Sequence, residues 1–198
     1  VLASGDPFCY GVGSVLTRHI PVEQMRVFPA PSAFSLAAAR LGWPLQEVVT
    51  IGVNARPLER ISPYLQPGAR IIALMTDETT PQKLATLLTQ RGLGDARFTV
   101  LERLGGEHER IRRCTAENFA WHDVARLNCV AIEIAEDAHA KTRALPLTVG
   151  LEDERFEHDG QLTKQEIRAV TLSALAPRAG ELLWDIGLGA GSIAIEWL

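Results

Sequence analysis

Leu182-Leu183-Trp184-Asp185-Ile186-Gly187-Leu188-Gly189-Ala190-Gly191-Ser192-Ile193-Ala194 is the stretch that decides the fold class. An apolar run ends in an acid, three glycines follow at alternating positions, and an apolar helix start comes next. That order predicts a strand opening at Leu182, a glycine loop and a helix N-terminus. Such a loop lets a ligand approach bare backbone, and the helix start presents N–H groups without intrahelical partners. The plainer reading of the same glycines is a tight turn with no ligand. A nicotinamide site is disfavoured, because the dinucleotide spacing G-x-G-x-x-G would need a third glycine where Ser192 stands.

Upstream, apolar runs and helical patterns alternate. Strands are predicted at 25–28, 48–51, 70–75, 97–104 and 129–134, and the first residues read as the end of another. Helices are predicted at 34–41, 58–65, 81–91 and 109–121, with Gly42 and Gly92 as stops and Pro81 in a first turn. Strands alternating with helices of this length predict an α/β layer structure. Residues 138–160 differ: they lack apolar periodicity, contain Pro146, Gly150 and the acidic run Glu152-Asp153-Glu154, and read as an interdomain linker. A helix is predicted over 163–175, with Thr163 as N-cap and Glu166 completing a capping box.

Bulk properties bound the rest. The 198 residues suffice for one large or two small domains, and a net charge of −4 gives no reason to expect a nucleic-acid partner. No apolar run approaches the roughly 20 residues of a membrane span, and the N-terminal residues lack the shape of a signal peptide. Cys9, Cys114 and Cys129 are odd in number and widely spaced, so free thiols in a reducing cytoplasm are expected rather than disulfides or a metal site.

A second glycine-rich loop follows the N-terminal strand end: Ser4-Gly5-Asp6-Pro7-Phe8-Cys9-Tyr10-Gly11-Val12-Gly13. Gly-Asp-Pro alone is a turn. With Tyr10, Gly11 and Gly13 at close spacing it resembles the G-D-P-x-x-Y-G loop of the tetrapyrrole (corrin and porphyrin) methylases. Pro29-Ala30-Pro31-Ser32-Ala33-Phe34-Ser35 and the Ala-rich run after it are similar to the segment joining that family's two lobes. Leu74-Met75-Thr76 is similar to its cofactor-contacting methionine, and Leu104-Gly105-Gly106-Glu107 to its later glycine turn. Met75 read by itself would be plain core. The C-terminal D-x-G-x-G-x-G resembles the first motif of Rossmann-like methyltransferases, and residues 158–168 resemble the entry segment before it. Together the two halves resemble the fused C-methyltransferases of cobalamin biosynthesis.

The resemblance implies the C-terminal part of a two-lobed tetrapyrrole-methylase fold over 1–137 (first lobe ending at 45, second lobe 46–137), the linker 138–160, and the beginning of a Rossmann-like domain over 161–198. It implies S-adenosyl-L-methionine as cofactor, contacted by Gly5, Asp6, Cys9, Tyr10, Ser32, Ala33, Met75 and Gly106 in the first half. In the second half it implies Thr163, Asp185, Gly187, Leu188, Gly189, Ala190 and Gly191. It further implies methylation of a precorrin, a tetrapyrrole substrate, at carbons 5 and 15 with loss of carbon dioxide from an acetate, and homo-oligomers. Methyl transfer from a sulfonium demands positioning rather than a strong base, and none is assigned. His158 reads as a solvated linker histidine. Arg18, Arg40, Arg56, Arg110, Arg112 and Arg113 are available for substrate carboxylates, without grounds to choose among them.

Cys9 departs from the larger apolar residue common in the family. The family's N-terminal strands and second ribose-binding acid are not found, so the chain is expected to be an internal fragment without a complete carbon-15 or decarboxylase site, and its last 38 residues to be poorly ordered or to rely on partners. A single-function tetrapyrrole methylase and a non-catalytic cofactor-binding module are the alternatives.

Overall fold

The computed structural model describes residues 1–2, 5–54, 56–137 and 144–198. The chain divides into two compact units, Val1–Ala144 and Leu145–Leu198.

The first unit is built on apolar runs that bury both faces, the sequence signature of a covered sheet. Its strands are β1 (Val49–Gly52), β2 (Arg70–Leu74), β3 (Arg97–Glu102), β4 (Arg110–Thr115) and β5 (Asn128–Glu133), in the order β1-β2-β5-β3-β4. β1 and β2 are parallel and every other pairing is antiparallel. β5 therefore inserts between β2 and β3, and Leu74 and Leu101 both stand opposite Cys129. The exits of β2 and β3 and the entry of β5 share one end of the sheet.

A short α1 (Gly13–Leu16) is followed by α2 (Ala33–Leu41) and α3 (Thr80–Gln90). The period-two alternation of the strands sends Ile71, Ala73, Phe98, Val100, Val130 and Ile132 to the side of Leu84 and Leu88 on α3. Ile72, Leu101, Cys129 and Ala131 face Phe34, Ala37 and Ala38 of α2. The Ser32 side chain caps α2 by accepting the Ser35 N–H at 3.2 Å, and Gly42 ends it in the left-handed region. Asp77 Oδ1 closes the first turn of α3, accepting both backbone N–H groups and both hydroxyls of Thr79 and Thr80 at 2.8–2.9 Å. Residues 58–65, expected as a short helix, form a 3-10 helix over Leu58–Tyr64.

Four expectations need correction. Residues 109–121 contain no helix: Arg110–Thr115 is the edge strand β4. Its alternation is masked because one face carries Arg110 and Arg112, neutralised by Glu102 on β3 and by Asp123. Charged side chains on an edge strand oppose sheet-to-sheet association. Residues 25–28 join no ladder, and Arg26 lies over the Phe28 ring at 5.0 Å. Residues 182–186 are likewise unpaired, with Leu182, Trp184 and Ile186 exposed and Leu183 and Asp185 half-buried: the alternation of a strand without a partner among the described residues. Val1 and Leu2 also lie outside any ladder.

In the second unit α4 (Gln165–Leu175) and α5 (Ser192–Trp197) pack together, and Leu172 and Phe156 are buried. Its centre is Arg168, fully buried, with Nε on Glu196 and Nη1 on Asp153, both at 2.7 Å. Its guanidinium also donates to the carbonyls of Thr163 and Leu151 and lies 4.5 Å over the Phe156 ring. Glu196 in turn accepts the backbone N–H groups of Gly150 and Leu151. Of the expected linker, residues 145–160 thus belong to this unit, Ala144 ends the first unit, and 138–143 lie outside the described residues. Thr163 is not the cap of α4: Lys164 occupies the N-cap position and makes no side-chain capping bond.

Candidate functional site

The loop 5–13 coils so tightly that side chains are excluded at two positions. A Cβ at Gly11 or Gly13 would lie 2.5 or 2.6 Å from the Pro7 carbonyl oxygen, and the Gly13 N–H donates to that same oxygen at 2.8 Å. Asp6 Oδ1 accepts the Phe8 N–H at 2.8 Å. The coil leaves Tyr10 at φ 57°, with its ring edge-on to Phe34 at 5.8 Å and its hydroxyl accepting the Gly52 N–H at 3.0 Å. Tyr10 thereby ties the loop to the end of β1 and the start of α2.

A cleft of about 580 Å³ opens where this loop meets the end of the sheet. Gly5, Asp6, Cys9 and Tyr10 form one wall; Ser32 and Ala33 at the start of α2 and Met75 after β2 form others. Leu74, Leu101 and Cys129 contribute to the apolar lining. Burial pushes the Cys129 thiol up to about 12, so it stays neutral and apolar in character. Gly106 is not brought into this lining. It closes a turn by donating to the Arg103 carbonyl at 3.0 Å. Glu109 braces that turn, accepting the Gly105 N–H at 2.7 Å and holding Arg40 of α2 at 2.6 and 3.1 Å. Arg40 and then the Gly105 N–H keep the Glu109 carboxyl below its ordinary range.

Sequence reasoning missed the lining residues Asn54, Arg103, Arg126, Leu127 and Asn128; Leu104, quoted only as part of the later glycine turn, lines the cleft as well. Asn128 is buried, and its amide donates to the carbonyls of Asp77, Ala125 and Arg126 at 3.1, 2.8 and 3.2 Å. It locks the loop after β2 to the loop before β5. An asparagine opening an apolar strand was the available signal. Of the six arginines named from the sequence, none lines the cleft. Arg110 and Arg112 are engaged by Glu102 and Asp123, Arg40 by Glu109, and Arg113 lies toward the opposite end of the sheet beside Arg70 and Arg97.

In the second unit Gly187, Gly189 and Gly191 have φ of 84°, 53° and 70°, a region costly for other residues. A Cβ at Gly187 would meet nothing within 4 Å, so the requirement is conformational and the backbone stands open. Leu188 accepts the Gly191 N–H at 2.8 Å, and Ala190 lies inside that turn before α5. Asp185 is half-buried and Thr163 exposed. His158 is exposed, its Nδ1 accepting the Gly160 N–H at 3.0 Å. Among the described residues no His, Cys, Asp and Glu side chains cluster as metal ligands, and no helix is long and apolar enough to cross a membrane.

Comparison with known proteins follows this division. Residues 1–120 match the model for tetrapyrrole (corrin/porphyrin) methylases, and residues 154–198 match a precorrin methyltransferase domain. The precorrin-6Y C(5,15)-methyltransferase [decarboxylating] of a Sinorhizobium species is 55% identical over 198 residues, covering 100% of this chain and 48% of that protein. The cobalt-precorrin-7 C(5)-methyltransferase of Salmonella typhimurium is 33% identical over 114 residues, 56% of this chain and 54% of the relative. The chain spans about half the length of these curated relatives. The solved methyltransferase CobJ shares the fold, with a TM-score of 0.51 and 16% identity over 66% of this chain and 62% of that one.

Proposed function

The chain belongs to the tetrapyrrole (corrin/porphyrin) methylase family, and on that premise we propose that it is part of an S-adenosylmethionine-dependent C-methyltransferase of corrin biosynthesis. In this reading the first unit methylates carbon 5 of precorrin-6Y. The second opens a Rossmann-like domain that methylates carbon 15 and removes carbon dioxide from the ring C acetate, giving precorrin-8. Residues 1–45 end a first lobe, 46–137 form a second lobe, and the domain carrying the second activity starts by 161.

The observation that supports this best is the convergence of three segments distant in sequence, 5–10, 32–34 and 74–76, on one cleft. Its volume lies within the ~300–1,000 Å³ usual for small-molecule sites. The lining suits the cofactor's mixed chemistry: apolar Leu74, Met75 and Leu101 for a flat base and thioether, Gly5 backbone and Ser32 for polar groups, and the Asp6 carboxylate for a cation. When bound, the cofactor supplies a methyl group on a sulfonium, already activated for displacement. The protein's part is then alignment of donor and ring carbon and exclusion of water. Tyr10, pinned in the cleft wall by Gly52 and Phe34, serves that exclusion. In the second unit the open backbone of 187–191 is the surface offered to a second cofactor, with Asp185 just before it and Thr163 contributed by the segment before α4.

The test is turnover by the protein at its native length, with mass spectrometry following methyl gain and carbon dioxide loss. Gly11→Val should abolish the first methyl transfer and leave the second. Paired Gly187→Val and Gly189→Val should do the reverse. Wild-type protein that binds S-adenosylhomocysteine yet transfers no methyl group to a precorrin would overturn the reading.

A further inference from the structure

We propose that Arg103 and Arg126 form a carboxylate-receiving pair at the mouth of the first-unit cleft, holding acidic side chains of the tetrapyrrole. The inference rests on the reading of that cleft as the methyl-transfer site. The lining contains three charged side chains, Asp6, Arg103 and Arg126, so it is net cationic in a chain whose formal charge is −4. Both residues are exposed, and neither has an ion-pair partner among the described residues. Their neighbours differ: Arg110 and Arg112 are neutralised by Glu102 and Asp123, and Arg40 by Glu109. Positive charge left free beside a cleft is available to a ligand.

Sheet order is what brings the two together. Arg103 directly follows β3 and Arg126 precedes β5, which are adjacent strands, and the Arg103 N–H donates to the Leu127 carbonyl at 3.0 Å. The backbone of Arg103 is at φ 50°, where arginine is uncommon and asparagine far more at ease. Position 103 thus carries a guanidinium in a conformation that does not favour it. Arg126 presents its carbonyl to Asn128, at 3.2 Å, so its backbone is fixed independently of its side chain. Two planar forks held on rigid backbone suit carboxylates, which they can grip bidentately. A carboxylate could come from the substrate or from the methionine part of the cofactor. Both residues are exposed, whereas Met75, Leu101 and Cys129 of the same lining are buried, which favours the substrate.

The test uses the protein at native length, with uroporphyrin as polycarboxylate probe followed by fluorescence and S-adenosylhomocysteine followed by calorimetry. Arg103→Asn removes the charge and suits the left-handed backbone, so its melting temperature should equal or exceed that of wild type. Arg126→Gln keeps the backbone carbonyl that Asn128 uses. Each should weaken uroporphyrin about tenfold, the scale of a charge-assisted hydrogen bond, the double variant more, with S-adenosylhomocysteine affinity unchanged. The wild-type affinity for uroporphyrin should fall with added salt. Variants that bind uroporphyrin as wild type does overturn the proposal. So does weakened S-adenosylhomocysteine binding with uroporphyrin unaffected, which would assign the pair to the cofactor. Wild type that fails to bind uroporphyrin overturns it too. Wild type that binds uroporphyrin through these arginines but not S-adenosylhomocysteine would instead remove the cofactor reading of the cleft and leave the pair standing.

Discussion

The backbone N–H of Gly52 donates to the phenolic oxygen of Tyr10 at 3.0 Å, and the Tyr10 ring fills the space that a side chain at position 52 would need. A Cβ there would lie 2.4 Å from Tyr10 Cε1. The last residue of β1 is kept bare so that the tyrosine of the glycine loop can seat against it, edge-on to Phe34.

Two substitutions separate the parts of this latch. Tyr10→Phe loses one hydrogen bond and should cost about 1 kcal/mol. Gly52→Ala should expel the ring, losing the hydrogen bond and the edge-to-face contact together, for about 2–3 kcal/mol. Gly52 does not line the cleft, yet Gly52→Ala should weaken S-adenosylhomocysteine more than Tyr10→Phe does. Calorimetric titration decides; an unchanged affinity in Gly52→Ala would show that Tyr10 does not shape the site.

Asp77 gives the chain a defined acid response. Hydrogen bonds from Thr79 and Thr80 lower its carboxyl from 3.8 to about 2. A depressed native value means that the unfolded chain binds the proton more readily, so the stabilisation is fully present above 3.8 and is lost as pH falls through about 2. Asp77→Asn keeps an acceptor for the helix start but cannot titrate. Its stability relative to wild type should be lowest above pH 4 and converge toward wild type as the pH approaches 2. Urea denaturation at a series of pH values measures this, and a pH-independent difference would refute it.

The sheet was legible where burial made it so. Residues 71–73, 98–101 and 129–132 are apolar on both faces, which composition reveals. β4 was not, because Arg110, Arg112 and Arg113 leave Ile111 and Cys114 as its only apolar residues, and the charges that neutralise Arg110 and Arg112 come from Glu102 and Asp123, a relation set by pairing across strands. The glycine loops were legible because their chemistry is local. Arg103, Arg126 and Asn128 were not: the two arginines are surface-type residues in loops, Asn128 is a polar residue at the first position of β5, and only the insertion of β5 between β2 and β3 places them beside Met75. The strand expected at 182–186 shows the converse, since alternation is written in the sequence but a ladder needs a neighbour.

Glu102 should be a stability determinant despite lying beside the cleft-lining Arg103. It is almost fully buried, and its carboxylate accepts from Arg110 at two positions and from the Ala125 N–H, all at 2.7 Å. Burial alone would raise its pKa, but the Arg110 and Ala125 hydrogen bonds and the charge of Arg112 outweigh it, so the carboxyl stays ionised. Glu102→Ala leaves Arg110 and Arg112 to Asp123 alone. The cost should be about 2–4 kcal/mol, below that of a fully buried pair because Arg110 is half-exposed. The urea midpoint should fall at constant slope; a change under 1 kcal/mol would mean that Asp123 suffices.

Arg168 should decide whether the second unit folds. It is wholly buried, and it joins Glu196 of α5, Asp153 of the acidic run and the carbonyls of Leu151 and Thr163. Leu172 and Phe156 give this unit little apolar core to substitute for it. Removing one member of a buried ion cluster strands the others, for roughly 3–5 kcal/mol, comparable to the whole stability of a unit this small. Arg168→Ala should therefore abolish amide-exchange protection in α4 and α5. Protection in β2, β3 and β5, whose cores contain none of these residues, should persist. Arg168→Lys keeps the charge but cannot reach four acceptors and should recover only part of the protection. Intact protection of α4 in Arg168→Ala would show that the apolar contacts alone hold the unit together.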